Sequence, residues 1–457
     1  MKSIVFNLIY LLTLAVLSPW ILIRSWRTGR YREGLRQKLW GLSRSDLVFD
    51  SDRPIVWLHG VSVGEIQLLI PLIDALQADA PNHQFLLSTT TESGMELARR
   101  RLGADRCFYF PLDFSWAIRR SIRVLKPQLI VTGELELWPN MISAAKRANI
   151  PMVVVNGRLS VSSHRGYRRF SLVTKPMFRE LSAVAAQSDS DAKRFIDCGC
   201  KEETVETLGN VKFDNAEVNR QHPSVRRMRR LAGLRDEGVV LAGSTQSPEE
   251  SASYAAFAKL KEQHTYLKLI VVPRHPDRFD EVAKTLRTQL LSGHKLLRRS
   301  LLDDNPISPS DWDVLLVDTV GELQWWWGLA DIALVGGTFG NRGGQNMLEP
   351  AAYGANVAFG PNTSNFKDIV RLLLNAEAAT QLPDLDALQP WLESQLSDPA
   401  PGTQRGARAK HLVQEHQGAT QRCVELITPY LQATNSTKGD SAAKPTTVLS
   451  SPKRPAA

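Results

Sequence analysis

The sequence predicts an α/β protein of two doubly wound halves, each a parallel sheet covered by helices, preceded by an apolar N-terminal helix. Three observations carry this. From Pro54 onward short apolar, β-branched runs alternate with longer amphipathic stretches, the pattern of βαβ units. A basic polar stretch over residues 219–237 interrupts the alternation, which then restarts. Residues 4–23 carry no charge, and twenty helical residues rise about 30 Å, the hydrocarbon thickness of a bilayer.

Taken in order, residues 1–23 are expected to form a membrane anchor and residues 24–53 a basic juxtamembrane segment. Asn7 and Pro19 weaken the span without breaking it. Beyond it, Arg24, Arg27, Arg30, Arg32, Arg36 and Lys38 stand against the single Glu33, a net of +5, whereas only Lys2 precedes it. The positive-inside rule therefore places the rest of the chain in the cytoplasm. No small-residue cleavage site follows Ile23, so the segment reads as an uncleaved anchor rather than a signal peptide.

Residues 54–218 form the first half. Strands are expected at 55–59, 84–88, 129–132, 152–156, 183–187 and 204–208, with helices at 65–78, 92–101, 114–125 and 140–147. Residues 219–237 read as a linker. The second half, 238–433, has strands at 238–242, 267–272, 313–317, 332–335 and 356–359, and ends in a helical stretch over 404–432. The tail, 434–457, is rich in Ser, Thr, Pro, Ala and Lys and is expected to be disordered.

Composition narrows the class. With 43% hydrophobic and 23% charged residues the chain is globular rather than disordered or fibrous. A formal charge of +9 suits an anionic partner, without choosing among nucleic acid, membrane and phosphorylated substrate. The four cysteines, Cys107, Cys198, Cys200 and Cys423, lack the paired spacing of a zinc site and read as free thiols in a reducing compartment.

The chemistry-bearing motifs follow strands, where doubly wound sheets bind ligands. His59-Gly60-Val-Ser62-Val-Gly64-Glu65 ends a strand, turns on glycine and opens a helix. A glutamate there complements the helix dipole or, facing a ligand, acts as a general base. Thr132-Gly133-Glu134-Leu-Glu136-Leu-Trp138-Pro139-Asn140 repeats the theme with two acids, open to capping or to function. Lys212, in Asn210-Val-Lys212-Phe-Asp214, closes the first half and by itself reads as solvated.

In the second half Pro273-Arg274-His275-Pro276 follows a strong strand, so Arg274 either meets a phosphate or lies in a surface turn. Val320-Gly321-Glu322 holds the corresponding place after the next strand. The loop Gly336-Gly337-Thr-Phe-Gly-Asn-Arg342-Gly343-Gly344-Gln345-Asn346-Met347-Leu348-Glu349 enters a helix whose start favours a phosphate, while Glu349 can accept ribose hydroxyls. It is neither a Walker A loop nor G-x-G-x-x-G. The acid pairs Asp303-Asp304 and Asp311-Trp-Asp313 lack supporting ligands and read as solvated loop. Trp325-Trp326-Trp327 reads as packing.

In this order, HGVSVGE, GELELWPN, GNVKFD, PRHP, DTVGEL and GG…RGGQNMLEPAAYG resemble the 3-deoxy-D-manno-octulosonic acid (Kdo) transferases over residues 31–366. The resemblance implies a GT-B glycosyltransferase fold, two Rossmann-like domains facing a cleft, at the cytoplasmic side of a bacterial inner membrane. It implies transfer of Kdo from CMP-Kdo to the lipid A precursor (lipid IVA) in lipopolysaccharide biosynthesis, by inverting transfer with no metal, no cofactor and no nucleic-acid partner. Glu65 then matches the general base, and Glu136 and Lys212 match supports of the transition state. Pro273, Arg274, Val320, Gly321, Glu322, Asn346, Met347, Leu348 and Glu349 match the CMP-Kdo-binding segments. The chain departs from the usual pattern at Gln345 and Met347, where many members carry His and Pro. Two other readings are a GT-B enzyme using a UDP-sugar and a membrane-tethered nucleotide-binding scaffold.

Overall fold

The computed structural model describes residues 2–28, 33–302 and 307–432; the tail expected to be disordered, 434–457, and the pair Asp303-Asp304 lie outside them. The chain divides into two compact units, residues 1–211 with 418–457, and residues 212–417.

The first unit is built on seven strands, β1 (Ile55–His59), β2 (Gln84–Thr89), β3 (Cys107–Tyr109), β4 (Leu129–Gly133), β5 (Met152–Gly157), β6 (Ala183–Ala186) and β7 (Val205–Thr207). They lie in the order β3-β2-β1-β4-β5-β6-β7, and every pairing is parallel. Alternate residues feed two cores. Val56, Leu58 and Val131 point to one face, and Ile55, Trp57 and Ile130 to the other. Burial on both sides is why these strands read as unbroken apolar runs. Successive strands run outward in opposite directions from β1 and β4, so the topological switch point lies between those two.

The second unit repeats the plan with β8 (Val239–Thr245), β9 (Lys268–Pro273), β10 (Leu296–Arg298), β11 (Val314–Leu316), β12 (Ile332–Val335), β13 (Asn356–Phe359) and β14 (Thr380–Gln381). Their order is β10-β11-β9-β8-β12-β13-β14, again all parallel. Here the switch point falls between β8 and β12.

Three strands escape the sequence pattern: β3, β10 and β14, each at a sheet edge and two or three residues long. An edge strand pairs on one side only and needs no long apolar run. Two boundaries also differ from expectation. Residues 219–237 are not a bare linker, because the Pro223–Leu231 helix buries Val225, Met228 and Leu231 in the second unit's core. The helical stretch at the C-terminus is broken at Gly418, which adopts φ 88°. The Ala419–Gln432 helix beyond it returns to the first unit and buries Cys423, Val424, Ile427 and Leu431 there. Gln128 secures it by donating to the carbonyls of Tyr430 and Leu431.

The N-terminal helix, Lys2–Thr28, has the length and composition to cross a membrane. Ile4, Leu8, Leu12 and Val16 are exposed along it, whereas Asn7 and Tyr10 bond to the first unit. All four cysteines are buried free thiols. Trp326 and Trp327 are core residues, and Trp325 stacks on His222 at 4.5 Å.

Candidate active site

Each unit gathers chemistry-bearing side chains at the strand ends beside its switch point. In the first, β1 ends at His59, Gly60 turns the chain, and Ser62 caps the Val63–Asp79 helix. Gly60 sits in close quarters, since a Cβ there would lie 3.0 Å from Leu69 Cδ1 and 3.1 Å from the Glu65 Cβ. At Gly64 a Cβ would meet only the Ser62 hydroxyl, at 3.8 Å, so packing does not demand a glycine at that position.

Glu65 is 8% exposed. Its Oε2 accepts from the Val61 N–H at 2.8 Å and its Oε1 from the Ser62 hydroxyl at 2.8 Å. Ser62 in turn accepts from the Glu65 N–H, so cap and carboxylate lock each other. The dipole-complementing role and an oriented carboxylate are therefore the same arrangement.

Across the switch point, β4 delivers Glu134 and Glu136. Glu134 adopts φ 51°, a left-handed conformation that costs a non-glycine residue on the order of 1 kcal/mol and gathers at functional sites. Glu136 accepts from the Trp138 indole at 3.1 Å. Burial, then the neighbouring Glu65 charge, push the Glu136 carboxyl up to about 7. Beneath them His59 is fully buried, stacked on Phe110 at 3.8 Å, with Nδ1 against the Ser88 carbonyl and hydroxyl. Burial lowers its pKa to about 3, which keeps it neutral.

Two neighbouring carboxylates, one of them pushed toward neutrality by burial and like charge, work against stability. The sign follows from linkage. A carboxyl raised from 4.5 to about 7 favours its neutral form in the folded state, so its contribution to stability is lost as pH rises through that window. Glu136→Gln should therefore raise the thermal midpoint at pH 8 and leave it unchanged at pH 4. After discounting for solvent screening, the gain is on the order of 1 kcal/mol; equal midpoints at pH 8 would remove the argument.

In the second unit the donor-site candidates also follow strand ends. Pro273 closes β9, and Arg274 is exposed with its N–H bonded to the Thr245 carbonyl. Glu349 accepts from the Asn346 amide at 3.0 Å. Burial raises its pKa, while Asn346, the Trp327 indole and the Arg274 charge oppose the rise. Asn346 and Glu349 are thus bonded to each other, and Arg274 is near enough for its charge to act on Glu349.

Other candidates are placed differently from expectation. Met347 and Leu348 are core residues, because the short Leu348–Ala352 helix turns them inward, leaving only their main chain for a ligand. The Glu322 carboxylate is committed to both Arg299 nitrogens, at 2.8 and 3.0 Å, and to the Thr319 hydroxyl. Burial raises its pKa, but these bonds outweigh it and hold the carboxyl below its usual value. Val320 and Gly321 remain exposed beside it. Lys212, the first residue of the second unit, is half-buried in a 3-10 turn.

The glycine-rich loop holds the largest surprise. The N–H groups of Gly337, Thr338 and Phe339 all donate to Glu249, a carboxylate only 1% exposed. Those amides are already occupied by an acid of the protein and do not stand open to a phosphate. Gly336 is needed for the same contact, since a Cβ would come within 2.6 Å of Glu249 Oε2. The signal for Glu249 was available in the sequence, an acid opening the helix after β8 as Glu65 does after β1. Asp313 is paired with Lys261 at 3.0 Å, and Asp311 caps a 3-10 turn. Among the described residues no group of three or more His, Cys, Asp or Glu is placed to hold a metal.

Comparison with known proteins adds an independent line. Residues 27–215 match the family model described as 3-deoxy-D-manno-octulosonic-acid transferase. The chain is 33% identical to the 3-deoxy-D-manno-octulosonic acid transferase of Haemophilus influenzae over 82% of its length and 87% of the relative's. It is 33% identical to the Bordetella pertussis enzyme of that name over 93% and 99% of the two chains. Among solved structures, the UDP-GlcNAc 2-epimerase of Neisseria meningitidis bound to UDP-GlcNAc superposes with a TM-score of 0.53 at 11% identity, covering 82% of this chain and all of that one. That last likeness concerns the fold alone, the two-domain GT-B type. Identity maintained across both units leaves one assignment, and the chain belongs to the Kdo transferases, glycosyltransferases of lipopolysaccharide biosynthesis.

Proposed function

We propose that this chain transfers Kdo from CMP-Kdo to a sugar hydroxyl of the lipid A precursor lipid IVA, with Glu65 as general base. The observation that carries the reading is the Glu65 carboxylate, held by the Val61 N–H and the Ser62 hydroxyl at the first sheet's switch point beside Glu136. A sugar hydroxyl is a weak nucleophile, and a positioned carboxylate that takes its proton as the new bond forms supplies about 10²–10⁴-fold. The leaving group is CMP, already activated, so the remaining work is to offset charge on the departing phosphate. Arg274 and Lys212 take that role, and attack opposite the phosphate inverts the anomeric centre. Glu136, near its midpoint at neutral pH, stands beside the base and supports the developing charge.

The main chain of residues 320–322 and 346–348, with Pro273 and Glu349, completes the CMP-Kdo site in this reading. The enzyme works at the cytoplasmic face of the inner membrane, held there by its N-terminal helix. The exposed apolar face of that helix and its basic flank support this, since each Lys or Arg near anionic lipid is worth about 1 kcal/mol.

Incubation of the full-length protein with CMP-Kdo and lipid IVA, followed by mass analysis of the lipid, tests the proposal. One or more added Kdo units are expected, and none from UDP-sugars. Transfer from a UDP-sugar with CMP-Kdo inert would favour the second donor class instead.

A further inference from the structure

The N-terminal helix does more than present apolar side chains. Ser3, Phe6, Asn7 and Tyr10 recur at helical spacing and are partly covered, whereas Ile4, Leu8 and Leu12 between them are exposed. The covered stripe contains Asn7 and Tyr10, two polar members of a largely apolar segment. Asn7 donates through Nδ2 to the Ser115 hydroxyl at 2.9 Å and accepts at Oδ1 from the Ser115 N–H at 3.0 Å. The same Oδ1 accepts from Asn140 Nδ2 at 3.2 Å. Tyr10 donates its hydroxyl to Asp113 Oδ2 at 3.1 Å and sets its ring edge-on to Phe114.

Asp113 is the centre of this network. It is buried, and its carboxylate accepts from the N–H groups of Asn140 and Met141 at 2.8 and 2.9 Å. These are amides of the first turn of the Pro139–Arg147 helix, which have no partner within the helix. Asn140 closes the ring by donating Nδ2 to the Asp113 carbonyl. The residue before that helix is Trp138, whose indole holds Glu136 and whose ring packs near Phe110. An unbroken set of contacts therefore runs from the N-terminal helix to the acid beside Glu65.

We propose that the N-terminal helix is a brace for the 134–138 turn, in which Asn7 and Tyr10, through Asp113 and Asn140, position Glu136. This rests on the function proposed above only for the meaning of that position; the brace itself is a statement about the turn. An Asn amide and a Tyr hydroxyl are costly in apolar surroundings unless they are bonded, and here the bonds go to Ser115, Asp113 and Asn140, the last in the helix that follows the 134–138 turn. Asn7 and Tyr10 are positioning residues and act through others.

The test separates bracing from anchoring in the full-length protein. Asn7→Leu and Tyr10→Phe, singly and together, keep or increase the apolar character of the helix, so membrane retention should hold. Turnover at saturating CMP-Kdo and lipid IVA should fall about 10-fold in the double variant, since small misplacements at a site cost one to two orders of magnitude. The KM for CMP-Kdo should not move, because Arg274, Asn346 and Glu349 belong to the other unit. Leu8→Ala with Leu12→Ala, on the exposed face, should do the reverse, weakening membrane retention and leaving turnover in detergent unchanged.

Amide hydrogen exchange supplies a readout that needs no activity: the Asn140 and Met141 N–H groups should exchange about 10-fold faster in the double variant, as their acceptor loosens. Unchanged exchange at those amides would overturn the brace, even if the protein proved to transfer another sugar. Loss of turnover that merely tracks loss of folded protein would overturn it too. Tyr10→Phe, which removes one hydroxyl, is the variant to use if the double substitution does not fold.

Discussion

Glu65→Gln should lower turnover at least about 10²-fold while leaving the protein folded and donor binding intact. The geometry makes the substitution unusually clean. Glu65 receives one bond from the Val61 N–H and one from the Ser62 hydroxyl. A glutamine can turn its oxygen to Val61 and its NH₂ to Ser62, because a hydroxyl rotates to accept as readily as to donate. The cap survives, the side-chain volume is unchanged, and only the capacity to take a proton is lost. Single-turnover transfer from CMP-Kdo measures the effect, with the thermal midpoint as the control for folding. Near-normal turnover in the folded variant would remove Glu65 from the mechanism and make Glu136 the candidate base.

The second large effect is expected at the donor site. Arg274 is exposed at the end of β9, and the Glu349 carboxylate lies within reach of its charge. A guanidinium bonded to a phosphate is a charge-assisted contact, worth about 1.5–3 kcal/mol. Arg274→Ala should thus weaken CMP binding by roughly 10- to 100-fold. It should also flatten the salt dependence of binding, since a charge pair screened by ions is gone.

Glu349→Ala should weaken binding through the lost ribose acceptor, and it leaves the Asn346 amide without its partner. Part of that loss is therefore structural, on the order of 1 kcal/mol for a partly buried donor left unpaired. Glu349→Gln keeps an acceptor for Asn346 and isolates the charge. Calorimetric titration with CMP reads all three variants. Unchanged affinity in folded Arg274→Ala and Glu349→Gln would withdraw the donor-site assignment.

By itself the sequence determined the two parallel sheets, because strands buried on both faces must be written as unbroken apolar runs and cannot hide. It also marked the strand ends where Glu65, Glu136, Arg274 and Glu349 stand, since a glycine turn followed by an acid or a base is a local pattern. Tertiary structure decided what those groups are bonded to. Glu322 looks as available as Glu349 in the sequence, yet its oxygens are taken by Arg299, 23 positions away. The glycine loop looks open to a phosphate, yet its amides are filled by Glu249 from the far side of the switch point. Met347 and Leu348 sit inside a segment that resembles the family's donor-binding motif, yet they point into the core. Asn7 reads as a flaw in a membrane span until Ser115 and Asn140, more than 100 positions on, are seen to hold it. Periodicity reports burial along one element, whereas hydrogen-bond partners are set by which elements meet, and only the folded chain brings those together.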